Sequence, residues 1–231
     1  MIIENNLNIP LTKEQDEKLL QFSEKIYESN KKFNLTGFKD LEKIKNTLIY
    51  ESIRSLDSIN LPFSKNNCNV LDLGSGSGVP GIPLKIINNE IDLTLIESSK
   101  KKCTFISSVC KDLGLNVEVI NDRAEIIAHD KSFREKFQII ISRGVGNLTT
   151  LAEITIPFAK IGGSIISIKG LNIYKEIIES ESSVQLLGGE FSLYLTSSNY
   201  STVVVWKKIS STPEKYPRRP GAPQKSPLRI K

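Results

Sequence analysis

A glycine-rich loop and one acidic residue beyond it are the parts of this chain best suited to chemistry. The loop spans Gly74 to Gly78 and follows an apolar run that begins at Val70. Glycines allow positive φ angles and leave the backbone amides open to a ligand. A second apolar run ends at Glu97. A carboxylate about 20 residues past such a loop can accept hydrogen bonds from both ribose hydroxyls of an adenosine.

Two adenosine-containing cofactors fit this pattern. A dinucleotide needs Gly-x-Gly-x-x-Gly, which is present from Gly76, although a proline lies inside it. S-adenosylmethionine needs an acid followed by three alternating glycines, and Asp72, Gly74, Gly76 and Gly78 provide this directly from the strand. In that arrangement Asp72 either orders the loop or reaches the amino-acid end of the donor. The register from the strand favours S-adenosylmethionine.

Alternating strands and helices are predicted to position this loop. The strand predictions are 69–73, 92–97, 116–121, 137–142 and 163–169. The intervening helix predictions are 81–88, 99–113, 147–159 and 172–183. This alternation indicates a parallel sheet covered by helices, with ligands beyond the carboxyl ends of the strands. Two further strands, 185–195 and 201–208, are expected to form an antiparallel hairpin at one edge, which also favours the methyl donor over a dinucleotide.

The chain divides into three parts that we expect to form one compact unit. Residues 1–67 are predicted to form a helical cap, with one helix from Thr12 to Phe33 and another from an N-cap at Asp40 to Leu56. Residues 68–210 form the cofactor-binding domain. Residues 211–231 form a basic, Pro- and Arg-rich arm that is predicted to be extended.

The charge of the chain is concentrated in that arm. The net charge is +5, and from Pro213 to Lys231 there are six basic residues and one acid, so the rest of the chain is neutral. A basic arm suits a polyanion such as nucleic acid, and the alternative is a solvated tail that only aids solubility.

Other classes of protein are disfavoured by composition. Three cysteines, Cys68, Cys103 and Cys110, are too few and too irregular for a disulfide framework or a zinc site, so no metal is expected. No apolar run approaches the length of a membrane helix, about 20 residues, and the start of the chain has no export signal. We therefore expect a cytoplasmic protein with no membrane partner.

Several longer motifs occur together along the chain. They are Asn34-Leu35-Thr36, a helix with Glu51-Ser52, the run 70–84 with its Pro80-Gly81-Ile82-Pro83 extension, Ser99 to Lys102, Arg123-Ala124-Glu125, Ser142-Arg143-Gly144, Lys169-Gly170 and Lys215 to Gly221. With these motifs the chain resembles the RsmG (GidB) family of small-subunit (16S) ribosomal RNA methyltransferases, which act on N7 of a guanine. Leu48 and Glu51 stand where the family usually has a histidine and an aspartate.

The resemblance implies a fold, a donor and a substrate. The fold is α/β, a seven-stranded, mostly parallel Rossmann-like methyltransferase sheet with an antiparallel edge hairpin and an N-terminal helical extension. The donor is S-adenosylmethionine, with contacts at Gly74, Val79, Ala124, Glu125 and Arg143. The substrate is 16S ribosomal RNA or the small ribosomal subunit particle, and we expect the enzyme to be a monomer.

Guanine N7 carries an exposed lone pair, so the reaction needs positioning and no general base. Arg143 and Lys169 are predicted to be the positioning residues, although Arg143 could instead form a structural ion pair. The predicted RNA contacts are Lys100, Lys101, Arg123, Lys169, Arg218 and Arg219. Tyr216 could stack on an unpaired base or pack against the body.

The remaining reactive residue types have simpler interpretations. His129 is predicted to lie on the surface, Cys103 and Cys110 to pack in the interior, and Lys207 and Lys208 to be solvated at a strand end. Two other functions stay open from the residues alone. One is an NAD(P)-dependent oxidoreductase that uses the same loop and Glu97, and the other is a catalytically idle RNA-binding protein on the same fold.

Overall fold

The computed structural model describes residues 10–59, 68–196 and 201–228. Its strands are β1 (Asn69–Leu73), β2 (Asp92–Ile96), β3 (Glu118–Ile120), β4 (Phe137–Arg143), β5 (Ala159–Lys169), β6 (Gly189–Thr196) and β7 (Thr202–Lys208). They form one seven-stranded sheet in the order β3-β2-β1-β4-β5-β7-β6. The first five are parallel, and β7 lies antiparallel between β5 and β6. The predicted sheet and edge hairpin are confirmed.

The helices cover both faces of this sheet. They are α1 (Lys13–Asn30), α2 (Leu41–Lys43), a π-helix (Ile44–Tyr50), α3 (Glu51–Asp57), α4 (Gly81–Ile87), α5 (Lys100–Asp112), α6 (Ala124–Ile127), α7 (Leu148–Thr155), a 3₁₀ turn (Ile156–Phe158), α8 (Tyr174–Leu186) and α9 (Ala222–Lys225). Asp40 is the N-cap of α2, as predicted, and accepts a hydrogen bond from the Lys43 amide. No helix in these described ranges is both long and apolar enough to cross a membrane.

Adjacent residues of β1 point to opposite faces and enter separate cores. Val70 packs in the core that also contains residues of α1, α4 and α5, whereas Leu71 packs in the core beneath α7 and α8. Helix α1 contributes Phe22 and Ile26, which are fully buried in the first core. The N-terminal helices therefore pack directly against the sheet domain.

The helix predicted from Asp40 to Leu56 is interrupted by the π-helix. There the Glu51 amide donates to the carbonyl of Asn46, one residue further back than in an α-helix. The apolar spacing of the sequence indicated a helix here but not this widening.

The C-terminal segment contains turns and helix α9 and packs on the body, so the prediction that its backbone is extended is wrong. The Arg134 guanidinium donates to the carbonyls of Thr212 and Tyr216 at 2.8 and 2.9 Å. Tyr216 is 9% exposed and belongs to the core beneath α7. A ring nitrogen of His129, which lies on the surface as predicted, is 2.8 Å from the carbonyl of Pro217. These side chains provide hydrogen-bond partners for the carbonyl groups of the segment. The composition of the segment alone did not predict such partners.

Lys208 is also placed differently from its prediction. Its side chain is buried, forms an ion pair with Glu135 at 3.1 Å and donates to the carbonyl of Ile156. The prediction of a solvated lysine is wrong because the chain folds back over the end of β7. Lys207 is only partly buried and donates to Ser164. Cys103 and Cys110 are buried, as predicted.

Candidate active site

The loop between β1 and α4 has the conformation that its glycines predict. Gly74, Gly76 and Gly78 have φ angles of +71°, +58° and +87°. The Gly74 amide donates to the carbonyl of Ile96 at 2.8 Å, which ties the loop to β2. A Cβ atom at Gly76 would have no neighbour closer than 3.8 Å. The loop therefore presents open space at Gly76, where a ligand can approach the backbone.

Asp72 lies beneath the loop and is fully buried. Its Oδ2 accepts a hydrogen bond from the Gly81 amide at 2.8 Å, and a Cβ atom at Gly81 would lie 2.7 Å from that oxygen. Its Oδ1 has no hydrogen-bond partner among the described residues. Burial raises the pKa of Asp72 to about 7, and the charge of Glu97 adds to the shift. Of the two roles predicted for Asp72, the observed contacts fit the ordering of the loop.

Glu97 connects the loop with the start of α5. Its Oε2 accepts from the Gly76 amide at 3.0 Å, and its Oε1 accepts from the Ser99 amide at 2.8 Å. The carboxylate also lines a cleft at the carboxyl edge of the sheet. Oε1 also accepts from the Ser98 hydroxyl at 3.5 Å, whereas Oε2 can accept a second hydrogen bond. A ribose hydroxyl can therefore bind at Oε2 without breaking the bonds that order the loop.

The same cleft is lined by Gly74, Ala124 and Glu125, three of the residues predicted to contact the donor. Its volume is about 80 Å³. Pockets for drug-sized ligands commonly enclose about 300–1,000 Å³. The cleft therefore encloses one end of such a ligand and leaves the rest along its open edge. Val79, another predicted contact, is buried in the core.

The carboxylate of Glu125 is already occupied by protein groups. Its Oε1 accepts from Arg123 at 2.9 Å and from the Gly221 amide at 2.8 Å. Burial acts to raise the pKa of Glu125, but these hydrogen bonds outweigh it and hold the pKa below its ordinary value. Oε1 of Glu125 is therefore engaged within the protein.

Arg143, at the carboxyl end of β4, reaches the N-terminal helices. Its Nη1 donates to Ser52 Oγ at 2.9 Å, and its Nη2 donates to the Thr47 carbonyl at 2.8 Å. Burial lowers the pKa of Arg143, and the carboxylate of Glu51 opposes that shift. The guanidinium therefore holds the π-helix segment against the sheet. Sequence reasoning did not predict these two partners, because no local motif links them to β4.

The positions at which the chain departs from the pattern of the family that it resembles are also buried. Glu51 is inaccessible to solvent, pairs with Arg54 at 3.0 Å and accepts a hydrogen bond from Ser201. Leu48 is buried in the core shared with the sheet. Because Glu51 is buried and its charge acts on Arg143, we interpret it as a residue that supports the site.

Lys169, at the carboxyl end of β5, is paired within the protein. Its Nζ lies 3.0 Å from Glu176 and 2.5 Å from the carbonyl of Gly146. Arg143 pairs in register with Ile168, so Arg143 and Lys169 end neighbouring strands at the same edge of the sheet. The structure thus places both predicted positioning residues at this edge, each held by the protein.

The residues predicted to bind RNA differ in how available they are. Lys100, Lys101 and Arg219 are exposed and have no ionic partner within the described part of the chain. Arg123 is paired with Glu125. Arg218 forms hydrogen bonds through Nε and Nη2 with both oxygens of Glu153, at 2.8 and 2.7 Å.

Comparison with known proteins identifies similar sequences. A family model described as "GidB: rRNA small subunit methyltransferase G" matches residues 15–202. The protein named ribosomal RNA small subunit methyltransferase G from Oenococcus oeni is 37% identical over 229 residues, which cover 97% of this chain and 94% of that protein. The protein of the same name from Alkaliphilus oremlandii is 38% identical, covering 96% of this chain and 95% of that protein.

A solved structure supports the fold independently. The ribosomal protein L11 methylase from Lactobacillus delbrueckii subsp. bulgaricus is similar with a TM-score of 0.54 and 14% identity, covering 70% of this chain and 80% of that chain. At this level of identity the likeness concerns the fold alone.

Proposed function

Because the chain belongs to the GidB family of small-subunit rRNA methyltransferases, we propose that it methylates N7 of a specific guanine in 16S rRNA with S-adenosylmethionine as donor. The observation that carries this proposal is the cleft at the carboxyl edge of the sheet. It is lined by Gly74, the first of three positive-φ glycines in the loop, and by Glu97. Membership in the family sets aside the NAD(P)-dependent alternative.

The residues present suit the donor. Oε2 of Glu97 has a free acceptor position for a ribose hydroxyl, and the open space at Gly76 allows close approach to the loop. The backbone at Ala124 and Glu125 lines the end of the cleft beyond Glu97, where the adenine would lie. When bound, S-adenosylmethionine supplies a methyl group on a positively charged sulfur.

The protein's part in the reaction is alignment. Guanine N7 is an unprotonated acceptor at the major-groove edge of the base. No residue has to remove a proton from it, and holding the two reactants in line provides much of the rate enhancement. We assign this positioning to Arg143 and Lys169, which end adjacent strands at the carboxyl edge of the sheet.

The RNA would approach the same edge of the sheet. Lys100 and Lys101 lie in the first turn of α5, directly after the segment that Glu97 holds. Together with Arg219 they provide exposed positive charge that phosphates can contact. Arg218, whose guanidinium is engaged by Glu153, is better explained as a structural residue.

The test has a binding arm and a product arm. Calorimetry should show that Gly76→Arg abolishes S-adenosylhomocysteine binding, because its side chain would occupy the open space next to Glu97. Gly37→Arg, at an exposed glycine with no atom near its Cβ position, is the matched control. Undiminished binding by Gly76→Arg would refute the donor site.

In the product arm, 16S rRNA and small subunits that lack the modification are incubated with the protein and the donor. Mass mapping of the rRNA should then find one new methylguanine. Donor binding and RNA binding without any methylated product would instead indicate the catalytically idle protein.

A further inference from the structure

The cleft has one wall that comes from the C-terminal segment. Gln224, in α9, lines the cleft together with Glu97, Ser98 and Asp122. In the sequence it lies more than a hundred residues from these neighbours, within the segment predicted to be an extended arm. Packing of that segment therefore places a side-chain amide at the predicted donor site.

The segment around Gln224 is anchored on each side. The Gly221 amide donates to Glu125 at 2.8 Å, and the Thr150 hydroxyl donates to the carbonyl of Pro223 at 3.0 Å. Further along, Ser183 donates to the carbonyl of Leu228. Pro223 is itself buried. Gln224 is thus presented to the cleft by a fixed backbone.

The side chain of Gln224 is less engaged within the protein than those of its acidic neighbours Asp122 and Glu125. The carboxylate of Glu125 is engaged by Arg123 and Gly221, and Asp122 accepts from the Arg123 amide at 2.7 Å. The carboxamide of Gln224 makes no hydrogen bond within the described residues. A carboxamide carries both donor and acceptor groups, as does the edge of adenine that bears the 6-amino group.

We propose that Gln224 hydrogen-bonds the 6-amino group of the donor's adenine, and that the C-terminal segment thereby determines specificity for the nucleoside. This inference rests on the proposed function, in which Glu97 binds the ribose and thereby determines which end of the cleft receives the adenine. Gln224 accepts from the amino group through Oε1, on the side of the purine away from the ribose. The segment that carries it thus forms part of the binding site.

The test combines a protein variant with a ligand change. Calorimetry measures the binding of S-adenosylhomocysteine, and of its analogue in which purine replaces adenine, to the full chain. The wild type should bind S-adenosylhomocysteine about 5–10-fold more tightly than the analogue, as expected for one hydrogen bond. Gln224→Ala should lose that preference and bind both as the wild type binds the analogue. Lys225→Ala, at the exposed next position, is the control and should retain the preference.

The outcomes separate this inference from the proposed function. If Gln224→Ala weakens both ligands equally, the residue only supports the wall, and the inference is overturned. It is overturned as well if the wild type shows no preference. If the wild type binds neither ligand, the donor site itself is refuted. Circular dichroism melting of each variant separates loss of the contact from loss of the fold.

Discussion

Arg218→Ala should destabilise the protein far more than Arg219→Ala, although the two arginines are adjacent in one basic run. Arg218 donates three hydrogen bonds to Glu153, from its backbone amide, Nε and Nη2, at 2.7–2.8 Å. The side chain of Glu153 is 0% exposed. Arg219 is exposed and has no ionic partner in the described residues.

The size of the effect follows from the buried carboxylate. Removal of one partner of a buried ion pair costs about 3–5 kcal/mol, because the other charge is left uncompensated. The side chain of Arg218 is 30% exposed, so water can reach Glu153 once the guanidinium is gone. We therefore expect a loss near the lower limit, about 3 kcal/mol for Arg218→Ala. An exposed substitution such as Arg219→Ala should stay within about 0.5 kcal/mol.

Urea unfolding followed by circular dichroism measures both values. A double variant, Arg218→Met with Glu153→Leu, should recover most of the stability, because a buried ion pair can often be replaced by apolar residues of similar volume. The reasoning is refuted if Arg218→Ala and Arg219→Ala unfold with the same free energy. It also fails if the double variant is as unstable as the single one.

Three further predictions concern the loop, its buried acid and the RNA surface. Gly78→Ala should lower the melting temperature well below that of Gly37→Ala. A Cβ atom at Gly78 would lie 2.4 Å from the side chain of Ile82, and the backbone there has a φ angle of +87°, whereas a Cβ atom at Gly37 would meet nothing within 4 Å. Equal melting temperatures would contradict this. Burial raises the pKa of Asp72 to about 7, so the folded state retains a proton that the unfolded state loses, and this carboxyl lowers stability as the pH rises from about 4 to 7. The free energy of unfolding of Asp72→Asn, relative to that of the wild type, should therefore be greater at pH 8 than at pH 4. A difference that does not change with pH would show that Asp72 does not have this effect. Replacement of Lys100 and Lys101 by serine should reduce the salt dependence of RNA binding, with a slope in log K smaller by about 1.4–1.8, and should leave S-adenosylhomocysteine binding unchanged; an unaltered slope would exclude both lysines as phosphate contacts.

The central strands could be predicted closely because their signal is local. Strand β1 has the predicted bounds, Asn69–Leu73, and β2 ends one residue early. Buried parallel strands are short apolar runs, and their pattern does not depend on distant partners. The start of β6 was predicted too early because α8 continues to Leu186.

The proposed donor cleft could be predicted only in part, because some of its residues come from distant parts of the chain. The glycine loop, Glu97 and Ala124-Glu125 lie next to strand ends and carry recognisable motifs. Gln224 and the partners of Arg143 come from distant elements, and the packing of the complete chain decides where they lie. The distribution of charge in the sequence likewise indicates that the C-terminal segment is basic. It does not indicate that Arg218 pairs with Glu153, which lies 65 residues away in the sequence.

The packing of the C-terminal segment has a consequence for the order in which the molecule is completed. The contact between Gly221 and Glu125 spans 96 residues, and the ribosome adds Gly221 only after every strand of the sheet has been synthesised. Domains begin to fold during synthesis, and contacts between distant residues form late. A growing chain can therefore assemble its sheet and glycine loop while the wall that holds Gln224 is still missing. We expect full affinity for the nucleoside to arise as the last step of maturation, after translation has passed beyond β7.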